Sequence, residues 1–425
     1  MMSNATDLNI VEDFLSVFNV TWNDDAKFEL RKILAAPLTS QVEIEERQFI
    51  LKQIIDSKLY IGYTYHKTDY AEVFYFLNVL DAKNFKNVDY LTYFFQKGVN
   101  NRLIGHYIQL AYFFLELDKI LIANLDANKF PKSYREDLRF IINYIESFQL
   151  KKFKKQIVKG KLGYSTVQYL NLKVLEKRKN GDTTKFYTLF NRLEAYISIA
   201  TTISKLGFTF PHFVDEEFEI QQMYHPLIKE PVKNDFKTNA NVVLLTGANM
   251  SGKSTFLKTI SLVVYFAHLG IAVPAIKAII PFYKFISIHI NHSDDIKNGL
   301  SHFMQEIVNM KNVLETVQSG NRCFAVFDEL YKGTNYEDAL KISAQTIDGL
   351  VNFAHSKFLI STHIYELKNQ ISHSNRVSAY HLECNVLDNF PQFTYRFKEG
   401  WTNLKIGELL FQREGLKELL KVKPS

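Results

Sequence analysis

"LLTGANMSGKSTFLKTI", residues 244–260, is the stretch on which the fold turns. The β-branched and apolar run 242–246 reads as a buried strand and Ser254 onward as a helix, so Gly247 to Lys253 forms the turn between them. Gly247, Gly252, Lys253 and Ser254 satisfy the pattern GxxxxGK[ST]. In that pattern the glycines let backbone N–H groups close around phosphate oxygens at a helix N-terminus, where the dipole also favours negative charge. Lys253 is placed to reach the β- and γ-phosphates, and Ser254 to ligate Mg²⁺.

A phosphate loop does not by itself separate kinases from hydrolases. In "RCFAVFDEL", 322–330, the apolar strand Cys323–Phe327 ends in two acids. Asp328 suits a Mg²⁺ held through its water shell, and Glu329 is placed to orient an attacking water, which favours a hydrolase. Two solvated carboxylates at a strand end are the bland alternative. A third strand, "KFLIST", 357–362, leads into His363 at the sheet edge where open α/β folds bind ligands, so this imidazole is a candidate γ-phosphate sensor. In "DDIKNGLSHFMQEI", 294–307, Asn298, Gly299 and Ser301 read as a helix start. Phe303, Ile307, Met310, Leu314 and Val317 then follow as one apolar face. Ser301 is either a phosphate donor to the nucleotide of a neighbouring subunit or a plain N-cap.

The ordered run "TGANMSGKST", "NGLSHFMQE", "FDELYKGT" and "STH" resembles the ATPase domain of the MutS family of DNA mismatch repair proteins, and more distantly ABC-type ATPases. The resemblance covers nearly all of 221–415. It implies an α/β P-loop NTPase (ABC-type ATPase) domain that binds ATP and Mg²⁺ through Gly247, Ala248, Asn249, Met250, Ser251, Gly252, Lys253, Ser254 and Thr255. It further implies metal association at Ser254 and Asp328, a catalytic base in Glu329, a switch histidine in His363, and a serine, Ser301, offered in trans across a homodimer. The chain departs from the family pattern at Ala248, Ser251, Leu300, His302, Tyr331 and Lys332; the last pair alters a segment tied to signalling between domains.

A length of 425 residues suggests two or three domains, and 47% hydrophobic composition is ample for packed cores. Cys323 and Cys384 are too few for a disulfide framework, which with the polar start "MMSNATDLN" and no signal peptide leads to the expectation of a cytoplasmic protein. The apolar stretch Ile260 to Ile290 is broken by His268, Gly270, Pro274 and Lys277 and reads as helix, turn and strand rather than a membrane span. The formal charge of +6 is modest. Basic residues cluster in "KKFKKQIVKGK", 151–161, and "EKRKNGD", 176–182. Lys151, Lys152, Lys154, Lys155, Lys177, Arg178 and Lys179 are therefore candidate DNA-phosphate contacts, with solvated helix ends as the equal alternative.

Residues 1 to roughly 205 read as helical nearly throughout. Ser40 and Glu43 form a capping-box pattern followed by an apolar face at Ile44, Leu51 and Ile55. Aromatic runs such as "YAEVFYFLNV" read as helix core rather than base-stacking platforms. "LAAPLTSQVEIEERQFIL" and "RLEAYISIATTISKLGFTFPHF" resemble the family's core and lever helices, and "MYHPLI" the start of its ATPase domain. On that resemblance the chain starts inside the core domain, without a mismatch-reading domain, and "GELLFQREGLKELLKVKPS" ends it as a short helical segment that assists dimerisation.

These readings combine into an all-α core/lever domain (1–205), a linker (206–225), the ATPase domain (226–415) and a tail (416–425). The expected function is a dimeric, DNA-modulated ATPase in mismatch repair or related DNA surveillance, binding DNA through its helical arms, with possible repair partner proteins and no membrane. A transporter- or chromosome-type ABC ATPase is disfavoured, because only 75 residues separate Lys253 from Asp328 and no LSGGQ-like string occurs. A nucleotide-dependent protein-interaction module without mismatch recognition is the alternative.

Overall fold

Runs of apolar residues buried on both faces build the central strands of the larger sheet. The computed structural model describes residues 4–78, 97–122, 124–248, 250–290, 302–372, 374–387, 390–404 and 406–420. It is a mixed α/β structure with two mixed sheets. Strands β4 (Val242–Thr246), β7 (Cys323–Phe327) and β8 (Lys357–Ser361) are buried at every position, as parallel strands covered on both sides must be. With β6 (Phe285–His289), β9 (Val377–Leu387) and β10 (Phe390–Glu399) they form a six-stranded sheet in the order β10-β9-β4-β8-β7-β6, parallel except for the β9–β10 hairpin. A smaller sheet, β1-β5-β2-β3, joins His212–Phe213, Lys277–Ile280, Phe218–Met223 and Asn234–Thr238.

Helix α1 (Lys253–His268) is buried along almost its whole length, which explains the long apolar stretch in the sequence. Among the described residues no helix is long and apolar enough to cross a membrane. His268 ends α1 inside the core. Its Nδ1 lies 2.7 Å from the Val264 carbonyl, its Nε2 accepts the Tyr283 N–H at 2.9 Å, and burial pushes its pKa down to about 4. Helix α2 (His302–Gln318) buries Met310, Val313 and Val317. Ile307, expected on that face, is instead 37% exposed, because Glu306 beside it turns inward. Helix α3 (Tyr336–Leu350) is N-capped by Asn335, whose Oδ1 accepts the Asp338 N–H at 2.9 Å.

The chain divides into two compact units that interleave along the sequence: 1–10, 36–44 and 207–425 in one, 11–35 and 45–206 in the other. In the first, Asn4 bridges to β6, with its N–H on the Ile286 carbonyl at 2.9 Å and its own carbonyl accepting the Ile288 N–H at 2.7 Å. In the second unit the described residues form helices and no strand. Its interior is aromatic: Tyr144 stacks on Phe186 at 4.4 Å, and Tyr70, Phe74, Phe113, Tyr187 and Phe190 pack around one another. Glu194, 1% exposed, sits in this core and accepts hydrogen bonds from the backbone of Trp22 (2.5 Å) and Asn23 (3.2 Å), from Asn23 Nδ2 (3.1 Å) and from the hydroxyl of Tyr65 (2.5 Å). Burial raises its pKa despite these donors. The Ser40–Glu43 capping box forms, with the Glu43 N–H on Ser40 Oγ at 3.3 Å, but the buried face runs through Ile44, Leu51 and Ile54, leaving Ile55 partly covered.

Candidate functional site

Strands β4, β8 and β7 are parallel neighbours, so the loops after them emerge side by side on one sheet edge. The loop after β4 requires its glycines. Gly247 has φ +139° and Gly252 φ +98°, and a Cβ on Gly252 would lie 3.1 Å from the Tyr395 ring. Met250 shares the left-handed conformation at φ +69° and is exposed. Lys253 is buried, and its Nζ folds back to donate to the carbonyls of Gly247 (2.8 Å) and Ala248 (3.1 Å). Burial lowers its pKa, against the pull of Glu329 and Asp328. The Oγ of Ser251 is buried with no partner among the described residues, and Thr255 stands exposed in the first turn of α1. Asn249 lies outside the described residues.

Asp328 ends β7 opposite this loop. Its Oδ2 accepts the Ser254 hydroxyl at 2.5 Å, its Oδ1 accepts the Ser361 hydroxyl, and its N–H donates to the His289 carbonyl at 2.9 Å. Glu329 follows with φ +55° and donates its N–H to Ser361 Oγ at 2.8 Å. Burial pushes the Glu329 carboxyl up. The Lys332 ammonium at 2.5 Å, helped by Lys253 and His363, outweighs burial and holds it below the ordinary value. His363, exposed, shares a cavity of about 300 Å³ with Gly247, Ala248, Thr362 and Thr402.

The structure thus brings together Gly247, Ala248, Lys253, Ser254, Asp328, Glu329 and His363. Ser301 and the start of its motif, 294–301, lie outside the described residues. The basic candidates are not gathered. Gln156 of the helix Lys154–Val158 bonds Gly163 N–H (2.8 Å) and Thr166 (3.1 Å) at the start of the helix Tyr164–Lys179, whereas Lys177, Arg178 and Lys179 occupy its last turn, roughly 20 Å away along the axis. Lys151 pairs with Asp118 at 2.8 Å, Lys152 donates to Gln149 at 2.7 Å, and Lys154 and Lys155 are exposed. Lys177 pairs with Asp182 at 3.2 Å, Arg178 donates to the Asn78 carbonyl at 3.2 Å, and Lys179 is exposed.

Two features of the site carry no motif. Ser361 links Asp328 to Glu329 from inside "KFLIST", where a hydroxyl at the end of a buried strand was the available signal. The other is a cavity of about 310 Å³ on the far side of Gly252, lined by Ile228, Val232, Asn234, Thr255, Phe256 and Tyr395 among others. Asn234 fixes its wall, with Nδ2 donating to the Tyr395 carbonyl at 3.0 Å and Oδ1 accepting the Phe397 N–H at 2.8 Å. Tyr395 comes from β10, far along the chain from the loop, so no local spacing betrays it.

Residues 243–411 match the family described as MutS domain V. The chain is 34% identical over 233 residues to the DNA mismatch repair protein MutS of Persephonella marina, an alignment covering 53% of this chain and 27% of that protein. The DNA mismatch repair protein MutS of Bacillus subtilis is 30% identical over 225 residues, 51% of this chain and 26% of its own length. That of Bacillus velezensis is 26% identical over 318 residues, 72% of this chain and 36% of its own length. The chain therefore spans only about a quarter to a third of the curated relatives it matches. The domain V match coincides with the sheet edge built above, and over that region the chain is similar to MutS proteins.

Proposed function

We propose that this chain carries a P-loop ATPase domain that hydrolyses ATP with Mg²⁺, at a site completed across a homodimer, in DNA mismatch repair or a related form of DNA surveillance. The observation that carries the reading is the convergence of Gly247, Ala248, Lys253, Ser254, Asp328, Glu329 and His363 on the shared edge of three parallel strands. The residues suit the ligands. A buried Ser251 Oγ with no partner among the described residues and a lysine folded among loop carbonyls describe a cradle able to reorganise around phosphate. Ser254 and Asp328 offer adjoining hard oxygens, which suits Mg²⁺, an ion that takes one or two protein oxygens alongside substrate phosphates and water. When bound, Mg²⁺ would neutralise charge on the phosphates.

The chain's own groups do the rest. Lys253 leaves the Gly247 and Ala248 carbonyls for the β/γ-phosphate oxygens, and the backbone N–H groups of the loop hold the remaining charge. Glu329, ionised at neutral pH, accepts a proton from the attacking water, and His363 faces the departing phosphoryl group. The cavity under Gly252 has the size and apolar lining to take the nucleotide base, with Val232 and Tyr395 as its walls. By the family resemblance Ser301 of the partner subunit closes the site, and hydrolysis shifts the population of arm positions. DNA phosphates would meet the exposed Lys154, Lys155 and Lys179, while Lys151, Lys152, Lys177 and Arg178 would contribute by exchanging the partners they already have.

The test is the ATPase rate of purified protein without DNA and with homoduplex, mismatched or branched DNA, at two salt concentrations. A rate altered by one DNA form, with the effect weakening as salt rises, supports surveillance. A rate indifferent to every DNA keeps the ATPase and moves the function to a nucleotide-dependent protein-interaction module.

A further inference from the structure

The turn that carries Glu329 is built against the usual preferences of the backbone. Glu329 and Tyr331 are both non-glycine residues in the left-handed region, at φ +55° and +62°, and the Lys332 N–H closes the turn on the Glu329 carbonyl at 3.3 Å. Such conformations persist only where the surroundings over-determine them. At Glu329 the constraint is Ser361, which accepts its N–H. At Tyr331 the constraint comes from two helices. Its ring is 5% exposed and meets Phe303 of α2 edge to face at 6.2 Å, and its hydroxyl lies 3.2 Å from Thr346 Oγ1 of α3. Its backbone N–H faces the Glu306 carboxyl, also on α2. Gly333, which leaves the turn, lies so close to α2 that a Cβ there would stand 2.8 Å from the Phe303 Cβ and 3.1 Å from the Phe303 nitrogen.

We propose that Tyr331 is a positioning residue for hydrolysis: its ring, wedged between α2 and α3, locks the turn 328–333 and so sets the place of the Glu329 carboxylate. Tyr331 touches neither nucleotide nor water in this scheme and acts only through Glu329. This rests on the ATPase reading given above. One residue, Leu330, separates the wedge from the base, and a base displaced by an ångström can lose about two orders of magnitude in rate. Loss of the ring therefore slows the chemical step while leaving the phosphate loop, α1 and the base cavity intact.

The experiment measures ATP turnover and equilibrium binding of a non-hydrolysable ATP analogue for the full chain, for Tyr331→Gly and for Glu329→Gln. Glycine accepts the left-handed turn without strain but supplies no ring. The expected result is a kcat lowered by about 10- to 100-fold in Tyr331→Gly, with analogue affinity within about twofold of the parent. The double variant Tyr331→Gly/Glu329→Gln should lose no more than Glu329→Gln alone, because both changes act through one carboxylate. Unchanged kcat in Tyr331→Gly, a parallel fall in affinity, or an additive loss in the double variant overturns the proposal. Should Tyr331→Gly fail to fold, Tyr331→Phe decides: it keeps the ring and loses only the Thr346 contact, so kcat should fall less than about threefold, and a larger fall overturns the wedge. Absence of turnover in the parent protein instead removes the ATPase reading itself.

Discussion

Replacing Lys357 by methionine isolates the cost of burying a charge at the start of β8. Lys357 is 5% exposed, with its ammonium on the Ala240 carbonyl at 2.5 Å and 5.5 Å over the Phe218 ring, and burial pulls its pKa from 10.5 down to about 8. Because the folded value lies below the unfolded one, the unfolded chain binds the proton more tightly, and stability rises with pH across this window. A depression of that size costs the fold about 3 kcal/mol at pH 7, and only about 1.4 kcal/mol remains at pH 9.5, where the unfolded amine has also begun to titrate. Methionine has the same reach, no charge and no titration. Urea unfolding of both proteins at pH 7 and pH 9.5 should therefore show the stability difference between them moving by about 2 kcal/mol in favour of lysine at the higher pH. Taking the difference cancels every other titrating group. If the two proteins keep a constant offset between pH 7 and 9.5, the reasoning about this buried amine is wrong.

Other consequences can be read separately. Lys253→Ala should abolish nucleotide binding in equilibrium titration, since a neutral side chain supplies no charge for the phosphates. Val232→Asp, which places a carboxylate in the wall of the base cavity, should weaken ATP binding by about 1–3 kcal/mol, measured by isothermal titration, with little change in kcat at saturation. Glu194→Ala should destabilise the helical unit by about 3 kcal/mol or more in thermal unfolding, because the N–H groups of Trp22 and Asn23 and the Tyr65 hydroxyl lose their acceptor inside the core.

Much of the candidate site's edge was legible because its physics is local. Strands buried on both faces announce themselves as unbroken apolar runs, and β4, β7 and β8 each end in the residues the motifs single out. Helix faces were less legible where chemistry overrides hydropathy. Spacing assigned Ile307 to the core, but the half-buried Glu306, its pKa pushed up to about 7 by burial, takes that side of α2, and Ile54 rather than Ile55 closes the face begun at Ile44. Long-range pairings were invisible to any window. The Asn4–β6 bridge, the Asp7 carboxylate on the Ile290 N–H at 2.8 Å, and the Leu38 N–H on the His268 carbonyl at 2.8 Å draw two early segments into the unit of the sheets. Tyr395 reaches the cavity under Gly252 only through the register of the β9–β10 hairpin. Charge clusters give composition but not partners, so the engagement of Lys177 by Asp182 and of Arg178 by a backbone carbonyl had no signature in the sequence.

The most direct measurement of the central claim is single-turnover hydrolysis and ATP binding by Glu329→Gln beside the parent chain, with Mg²⁺ present. The account predicts that the variant binds ATP with affinity close to the parent and loses about 10²- to 10⁴-fold in the hydrolysis step, the contribution expected of a general base. A Glu329→Gln protein that hydrolyses ATP at the parent rate would contradict it.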